Sequence, residues 1–171
     1  MKEAQLTAAG IVIDVIEGNN LNKVFQKHSQ ENKINPKDIS QIKDLVFGTL
    51  RSYGKTKFVI NKLVKRMPSN TLILSLLHVA LFQLISNRSN SYTVVDQAVS
   101  ASNMINKRHT KFVNGVLRSF LREKICILEK AEKIEEAKYS YPIWWINLIK
   151  NEYPKSWNNI LDIGNSHPPL I

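Results

Sequence analysis

Cysteine is almost absent from this sequence. Cys126 is the single cysteine among 171 residues, so an internal disulfide and a zinc site built from several cysteines are both excluded. Such sparing use of cysteine is typical of a reducing compartment such as the cytoplasm. Cys126 lies between Ile125 and Ile127 with no histidine nearby in the sequence. This setting predicts a buried structural thiol rather than a nucleophile.

Long apolar runs are also missing, and glycine and proline are scarce. Six glycines and six prolines in a chain that is 43% hydrophobic exclude a disordered protein. The length suits one well-buried domain with at most an appendage. The most apolar stretch, residues 72–85, contains His78 and Gln83 and is too short to cross a bilayer. Glu3 and Asp14 interrupt the apolar segment that a signal peptide requires. We therefore expect no membrane partner.

Acidic residues are nearly missing from the middle of the chain. Residues 45–122 contain twelve Lys and Arg residues against one acid, Asp96, a balance of +11, whereas the net charge of the whole chain is +10. Both ends are close to neutral. A codon bias towards lysine would explain a high overall charge, but it would not deplete acids from one segment only. The pattern favours a polyanion-binding face, such as one for nucleic acid.

Familiar catalytic and metal-binding motifs are not found either. The sequence contains no phosphate-binding loop, nucleophile elbow or HExxH motif, and its four histidines lack metal-ligand spacing. The nearest approach is "LDIG", residues 161–164, which looks like the start of a nucleotide-binding loop. Such a loop needs a preceding strand and further glycines, but the residues before it have helical spacing and no glycine follows. We expect no catalytic residue, cofactor or metal in this chain.

What the sequence does contain is helical periodicity from end to end. Apolar residues recur at helical spacing, and the strict alternation of a strand is not found, so the fold class is predicted to be all-α. Residues 71–86 are apolar nearly all round, which predicts a central helix surrounded by others. The helix boundaries are predicted from an end at Gly18, caps at Asn35, Asn70 and Thr110, and a bend or interruption at Gly54.

The clearest helix is "TKFVNGVLRSFLRE", residues 110–123. Its apolar residues fall on one side, while Lys111, Arg118 and Arg122 line up on the other. Asn114 lies on the polar side one turn before Arg118, where the two can hold phosphate and base edges. Gly115 lies near the basic side, either to let an RNA or protein backbone approach or to pack beneath a neighbouring helix.

Beyond residue 123 the composition shifts to mixed charge and then to tryptophan. "ILEKAEKIEEAK" predicts a charged helix, and Pro142 and Pro154 begin two short amphipathic helices that contain Trp144, Trp145 and Trp157. This part of the chain is predicted to be a helical connector attached to the main bundle.

The order of these segments resembles a known family. "DLVFGTLRSYGKTKFVINKLV", the apolar central helix and "TKFVNGVLRSFLRE" together resemble the NusB-like domain. This domain occurs in NusB and at the front of bacterial 16S rRNA (cytosine-5) methyltransferases of the RsmB (Sun/Fmu) type. The continuation "YSYPIWWINLIKNEYPKSWNNILDIGNSHPPLI" looks like the connector of the methyltransferases.

The resemblance implies a NusB-like helical domain at residues 1–125 and a connector at residues 126–171, as a fragment without the catalytic domain. The missing domain would bind S-adenosylmethionine (SAM) and contain the catalytic cysteines, neither of which Cys126 matches. The implied partners are 16S rRNA and the protein's own C-terminal methyltransferase domain. Its implied task is to help that domain recognise rRNA.

The expected RNA-binding residues combine the basic segment with this resemblance. They are Arg51, Lys55, Lys111, Asn114, Arg118 and Arg122, with Lys62, Lys65, Arg66, Lys107 and Arg108 at the margins. We expect the positive side chains among them to converge on one outward face of the folded bundle. The alternative is a protein-interaction or antitermination module of the NusB type, without intrinsic catalysis, that binds a protein partner or packs mainly against its own catalytic domain. Exposed tryptophans in the connector would favour docking on a protein surface.

Overall fold

The structure, a computed structural model, describes residues 2–31, 34, 36–87 and 89–166. Within these ranges it contains ten α-helices and no strand, which confirms the all-α prediction. A 3₁₀ turn at Lys107–His109 precedes the seventh helix. The helices are α1 (Lys2–Ile16), α2 (Leu21–Glu31), α3 (Pro36–Arg51), α4 (Tyr53–Leu63), α5 (Thr71–Ser86), α6 (Ser91–Ile105), α7 (Thr110–Ala131), α8 (Glu135–Tyr139), α9 (Ile143–Glu152) and α10 (Trp157–Asn165).

Helix α5 is the centre of the bundle, as its all-round apolarity predicts. It packs against α1, α3, α4, α6 and α7. One core cluster joins it to α4, α6 and α7, and a second joins it mainly to α1, α2 and α3. The predicted cap is confirmed, because Asn70 Oδ1 accepts hydrogen bonds from the amides of Leu72 (3.0 Å) and Ile73 (3.1 Å). No helix of the described ranges has the length and apolarity needed to span a bilayer.

Polar side chains buried on α5 are paired with neighbouring helices. Ser75 Oγ donates to the carbonyl of Ala9 at 2.7 Å, which ties α5 to α1. His78 Nδ1 lies 2.7 Å from Thr56 Oγ1, and its ring stacks on Tyr53 at 4.4 Å. Burial, with a smaller contribution from the charge of Lys57, lowers the pKa of His78 to about 4. His78 is therefore neutral at physiological pH.

Some predicted helix boundaries are right and others are not. Gly18 follows α1 with a φ of +99°, consistent with the predicted helix end. Thr110 was expected to be a cap but is the first residue of α7. Asn106 caps the preceding 3₁₀ turn instead, with its Oδ1 accepting from the amide of Arg108 at 3.0 Å. Asparagine is the stronger capping residue of the two. The expected cap at Asn35 lies outside the described residues.

Helix α7 continues beyond the point where the composition changes. Ile127 and Ala131 are buried on the inner side of the same helix. The prediction of a buried Cys126 is wrong, because Cys126 is exposed and Ile125 is 77% exposed. Both residues fall outside the apolar stripe that faces the bundle. The division into residues 1–125 and 126–171 remains a prediction.

Helices α8, α9 and α10 lie in the part of the chain that was predicted to be the connector, and they share a small core of their own. Its buried residues are Tyr139, Ile146, Ile149 and Leu161. Residues 160–164 belong to α10, which agrees with the helical interpretation of "LDIG". The final residues 167–171 lie outside the described ranges.

The connector is attached to the bundle where α8 packs on α4. A break between α3 and α4 occurs at Ser52, two residues before Gly54, where the bend or interruption was predicted. Gly54 lies inside α4, where a side chain would collide with the backbone carbonyl of Glu136. Its lack of a side chain permits the close approach of α8.

Candidate nucleic-acid interface

Helix α7 presents two chemically opposite faces. Its inner face contains four residues that are at most 7% exposed, Val113, Val116, Leu117 and Phe120. On the outer face Lys111, Arg118 and Arg122 are all exposed. Their spacings of seven and four residues are close to whole helical turns, so the three form one row. Within the described residues none of them has an ion-pair partner, and the row remains positively charged.

A groove of about 630 Å³ runs along one flank of this row, between α6 and α7. Asn114, Arg118 and Arg122 line it from α7. Tyr92 and Asp96 line it from α6, and Val95, Val99 and Leu121 form its apolar floor. The groove thus combines cationic, amide, aromatic and carboxylate groups over an apolar base.

The two arginines of this groove are held by hydrogen bonds within α7. Arg118 Nε donates to Asn114 Oδ1 at 3.0 Å, and Arg122 Nη2 donates to Ser119 Oγ at 2.9 Å. A guanidinium has five N–H donors, so most of them remain available in each arginine. Donors fixed in this way can bind the oxygens of a phosphate.

A second groove of about 430 Å³ lies on the other flank, between α7 and the end of α4. Lys65 and Arg66 line it together with Lys111, so two of the marginal cations join the row on α7. Gly115 also lines this groove and is exposed, and a side chain there would meet no other group within 4 Å. The alternative that Gly115 packs beneath a neighbouring helix is therefore wrong.

The remaining marginal cations, Lys62, Lys107 and Arg108, are also exposed. Lys107 and Arg108 are exposed in the 3₁₀ turn that leads into α7. Lys62 is exposed on α4, and its Nζ lies 5.6 Å from the centre of the Phe58 ring.

Arg51 and Lys55 lie apart from the row on α7. They line a third cavity of about 310 Å³, which also includes Lys138 and Asn165 of the connector. Lys55 Nζ forms an ion pair with Glu132 Oε1 at 2.7 Å. Glu132 lies ten residues beyond Arg122, which is about 15 Å along a helix axis. The six expected residues thus divide into four on α7 and two beside the connector.

Two residues of the α6–α7 groove were not predicted from the sequence. Tyr92 is 77% exposed, and Asp96 is exposed one turn later on α6. A signal was present, because Tyr92, Asp96 and Val99 have the i, i+4, i+7 spacing of one helix face. The pattern alone does not indicate that this face borders the cationic row of α7.

The connector exposes a different kind of surface. Trp144 is 65% exposed, and Leu148 one turn later on α9 is 43% exposed. Trp145 and Trp157 are partly buried, and the ring of Trp157 packs edge-to-face against the ring of Tyr139, with 5.5 Å between their centres. Of the three tryptophans, Trp144 is thus the one that presents most of its surface to solvent.

Comparison with known proteins identifies relatives of this chain. The model of the NusB family matches residues 2–122. A protein named "Probable ribosomal RNA small subunit methyltransferase B" from Coxiella burnetii is 33% identical over 156 residues, which cover 88% of this chain and 36% of that protein. "Ribosomal RNA small subunit methyltransferase B" from Proteus mirabilis is 31% identical over 143 residues, which cover 82% of this chain and 34% of that protein.

A protein of the same name from Yersinia pseudotuberculosis is 32% identical over 143 residues, covering 82% of this chain and 33% of that protein. The chain therefore spans about a third of the length of these relatives.

Proposed function

Because the chain belongs to the NusB family, we propose that it is the RNA-binding helical domain of a SAM-dependent 16S rRNA (cytosine-5) methyltransferase. The relatives bear the name of a small-subunit rRNA methyltransferase and are about three times as long as this chain. The bundle and connector then occupy residues 1–125 and 126–171, and the protein acts in the cytoplasm. Its task is to help hold the rRNA substrate.

SAM and the methyl-transfer chemistry are assigned to the remainder of the parent protein. The one segment of this chain that looks like a nucleotide-binding loop, residues 160–164, is helical in α10. Backbone amides inside a helix are already used in its own hydrogen bonds, so this segment does not suit the cofactor. No step of the methyl transfer is assigned to this chain.

The observation that supports RNA binding most strongly is the unpaired row Lys111, Arg118 and Arg122 on the outer face of α7. A polyanion bound there displaces its condensed counterions, which favours association. Lys65 and Arg66 extend the positive surface across the neighbouring groove. Arg51 and Lys55 belong to the proposal as a separate contact region beside the connector.

A titration with single-stranded RNA at several salt concentrations tests this function. On single strands, log affinity changes with log salt by about −0.7 per phosphate contacted. Replacing both Arg118 and Arg122 by alanine should therefore flatten the slope by about 1.4. Both side chains are exposed, so the variant should fold normally.

The matched control is the double variant Lys23→Ala, Lys27→Ala. These lysines are exposed on α2 at the same four-residue spacing, and among the described helices α2 packs chiefly on α1. The control removes the same charge from another surface and should leave the slope almost unchanged. Equal slopes in the wild type, the variant and the control would show that Arg118 and Arg122 of α7 do not contact RNA.

A second candidate function, docking on a protein surface, is favoured by Trp144. An exposed tryptophan beside Leu148 is costly in water and is a frequent anchor of protein interfaces. The partner would be the methyltransferase part of the parent protein. Adding that part in trans should shift the tryptophan emission of this chain to shorter wavelength, and Trp144→Ala should abolish most of the shift.

A further inference from the structure

We propose that the groove between α6 and α7 binds one unpaired nucleotide, with its base stacked on Tyr92 and its amino-bearing edge hydrogen-bonded to Asp96. This inference rests on the proposed RNA-binding function and specifies what one part of the interface takes. The groove volume of about 630 Å³ lies within the range of about 300–1,000 Å³ that is common for small-molecule sites.

Tyr92 has the position expected of a stacking platform. It is 77% exposed in the first turn of α6, and its backbone amide donates to Asn90 Oδ1 at 2.9 Å. The cap fixes the backbone, while no aromatic partner covers the ring among the described residues. A base can therefore stack on Tyr92 without displacing another aromatic ring, and every base offers a suitable face.

The arginines across the groove can hold the phosphates on either side of that base. Hydrogen bonds to Asn114 and Ser119 fix one donor of each guanidinium, and the remaining donors are free for phosphate oxygens. Arg118 and Arg122 lie one turn apart, about 6 Å along the helix. This spacing is of the order of the distance between successive phosphates in an extended strand.

Asp96 is the feature that points to a base rather than to phosphate alone. It is the only acid in residues 45–122, and its carboxylate would repel phosphate in a purely electrostatic site. It lines the same groove as Arg118 and Arg122, yet it forms no ion pair with either within the described residues. A carboxylate accepts hydrogen bonds from base N–H groups on the Watson–Crick edge.

The chemistry of that edge predicts which base is preferred. Guanine presents two adjacent donors, N1–H and the N2 amino group, which match the two carboxylate oxygens. Uracil presents a single N–H flanked by two carbonyl acceptors, which the carboxylate repels. Guanine is therefore the best occupant and uracil the worst.

The test compares two RNA oligonucleotides of equal length, one of uridine only and one with a central guanosine. Wild type should bind the guanosine-containing strand about tenfold more tightly, the effect of about 1.4 kcal/mol. Asp96→Asn should abolish this preference without weakening binding to the uridine strand. Tyr92→Ala should weaken binding to both strands about tenfold, whereas Tyr92→Phe should bind as wild type does.

Exposed positions elsewhere supply the controls. Tyr153→Ala removes another exposed tyrosine ring and Glu129→Gln another exposed carboxylate, and neither should alter affinity or preference. Salt-dependent binding that is unaffected by Tyr92→Ala and Asp96→Asn would overturn the nucleotide site while leaving the proposed function intact. Failure of the wild type to bind either strand would overturn both.

Discussion

The outer faces of α7 and α9 differ in the chemistry that they leave in water. Helix α7 buries Val113, Leu117 and Phe120 and exposes a row of cations, whereas α9 buries Ile146 and Ile149 but leaves Trp144 and Leu148 in solvent. The bundle thus completes its own core and can present a charged surface to a hydrophilic partner. The connector leaves apolar side chains exposed to solvent, and such a surface is suited to burial against another protein surface. Under the proposed function, the two regions serve RNA and the catalytic part respectively.

The largest expected effect comes from substitutions in the two separate cores, one in the bundle and one in α8–α10. Phe120→Ala should lower the free energy of unfolding by about 3–5 kcal/mol, because a fully buried ring leaves a cavity. Amide hydrogen exchange should then accelerate throughout α4–α7. Ile146→Ala should accelerate exchange in α8–α10 while α5 stays protected. Ile163→Ala, at a side chain that is 71% exposed, is the control and should change little.

Acid should weaken the bundle through His78. The folded-state pKa of His78 is about 4, below the ordinary value of 6.5. The unfolded chain therefore takes up a proton first as the pH falls, and stability is lost between pH 6.5 and pH 4, on the order of 3 kcal/mol in all. Chemical unfolding across this range measures the loss. His78→Gln should lack this component, while His109→Gln should keep it.

A smaller effect is expected where the two regions meet. Gly54→Ala would force α8 away from α4, because the new methyl group meets the carbonyl of Glu136, at a cost of about 1–3 kcal/mol. Faster amide exchange confined to the connector would agree with this account. Faster exchange in α5 as well would mean that the connector is an integral part of the bundle.

The smallest effect concerns Gly115. Gly115→Ala should raise the free energy of unfolding by about 1 kcal/mol, because alanine is the better helix former and the methyl group meets no neighbour. Gly115 lines the groove between α7 and the end of α4. If RNA approaches α7 closely at that groove, Gly115→Ala should also weaken RNA binding. A stabilised variant with unchanged affinity would place the RNA elsewhere along the row.

Local patterns predicted the architecture and the cationic row well. The all-round apolarity of α5 indicated its central place, and the face opposite the apolar stripe of α7 indicated Lys111, Arg118 and Arg122. These signals are contained within single helices. Neighbouring residues in the sequence were sufficient to find them.

Features that depend on contacts between distant segments could not be predicted in this way. Lys55 forms an ion pair with Glu132, which is 77 residues away in the sequence. This ion pair holds the side chain of Lys55 away from the cationic row on α7. Apolar neighbours suggested that Cys126 was buried, but the helix turns it away from the core. Tyr92 and Asp96 become candidate binding residues only because α6 packs beside α7, and this packing could not be predicted from the sequence of α6.

A fluorescent label at Cys126 provides the most direct test of the comparison between the two faces. Cys126 is the sole cysteine, is exposed, and lies one turn beyond Arg122 on α7. The comparison label is placed on α9 by Trp144→Cys in a Cys126→Ser background. Single-stranded RNA should change the emission of the label on α7 and leave the label on α9 unaffected. A response on α9 with none on α7 would contradict the assignment of RNA to the bundle.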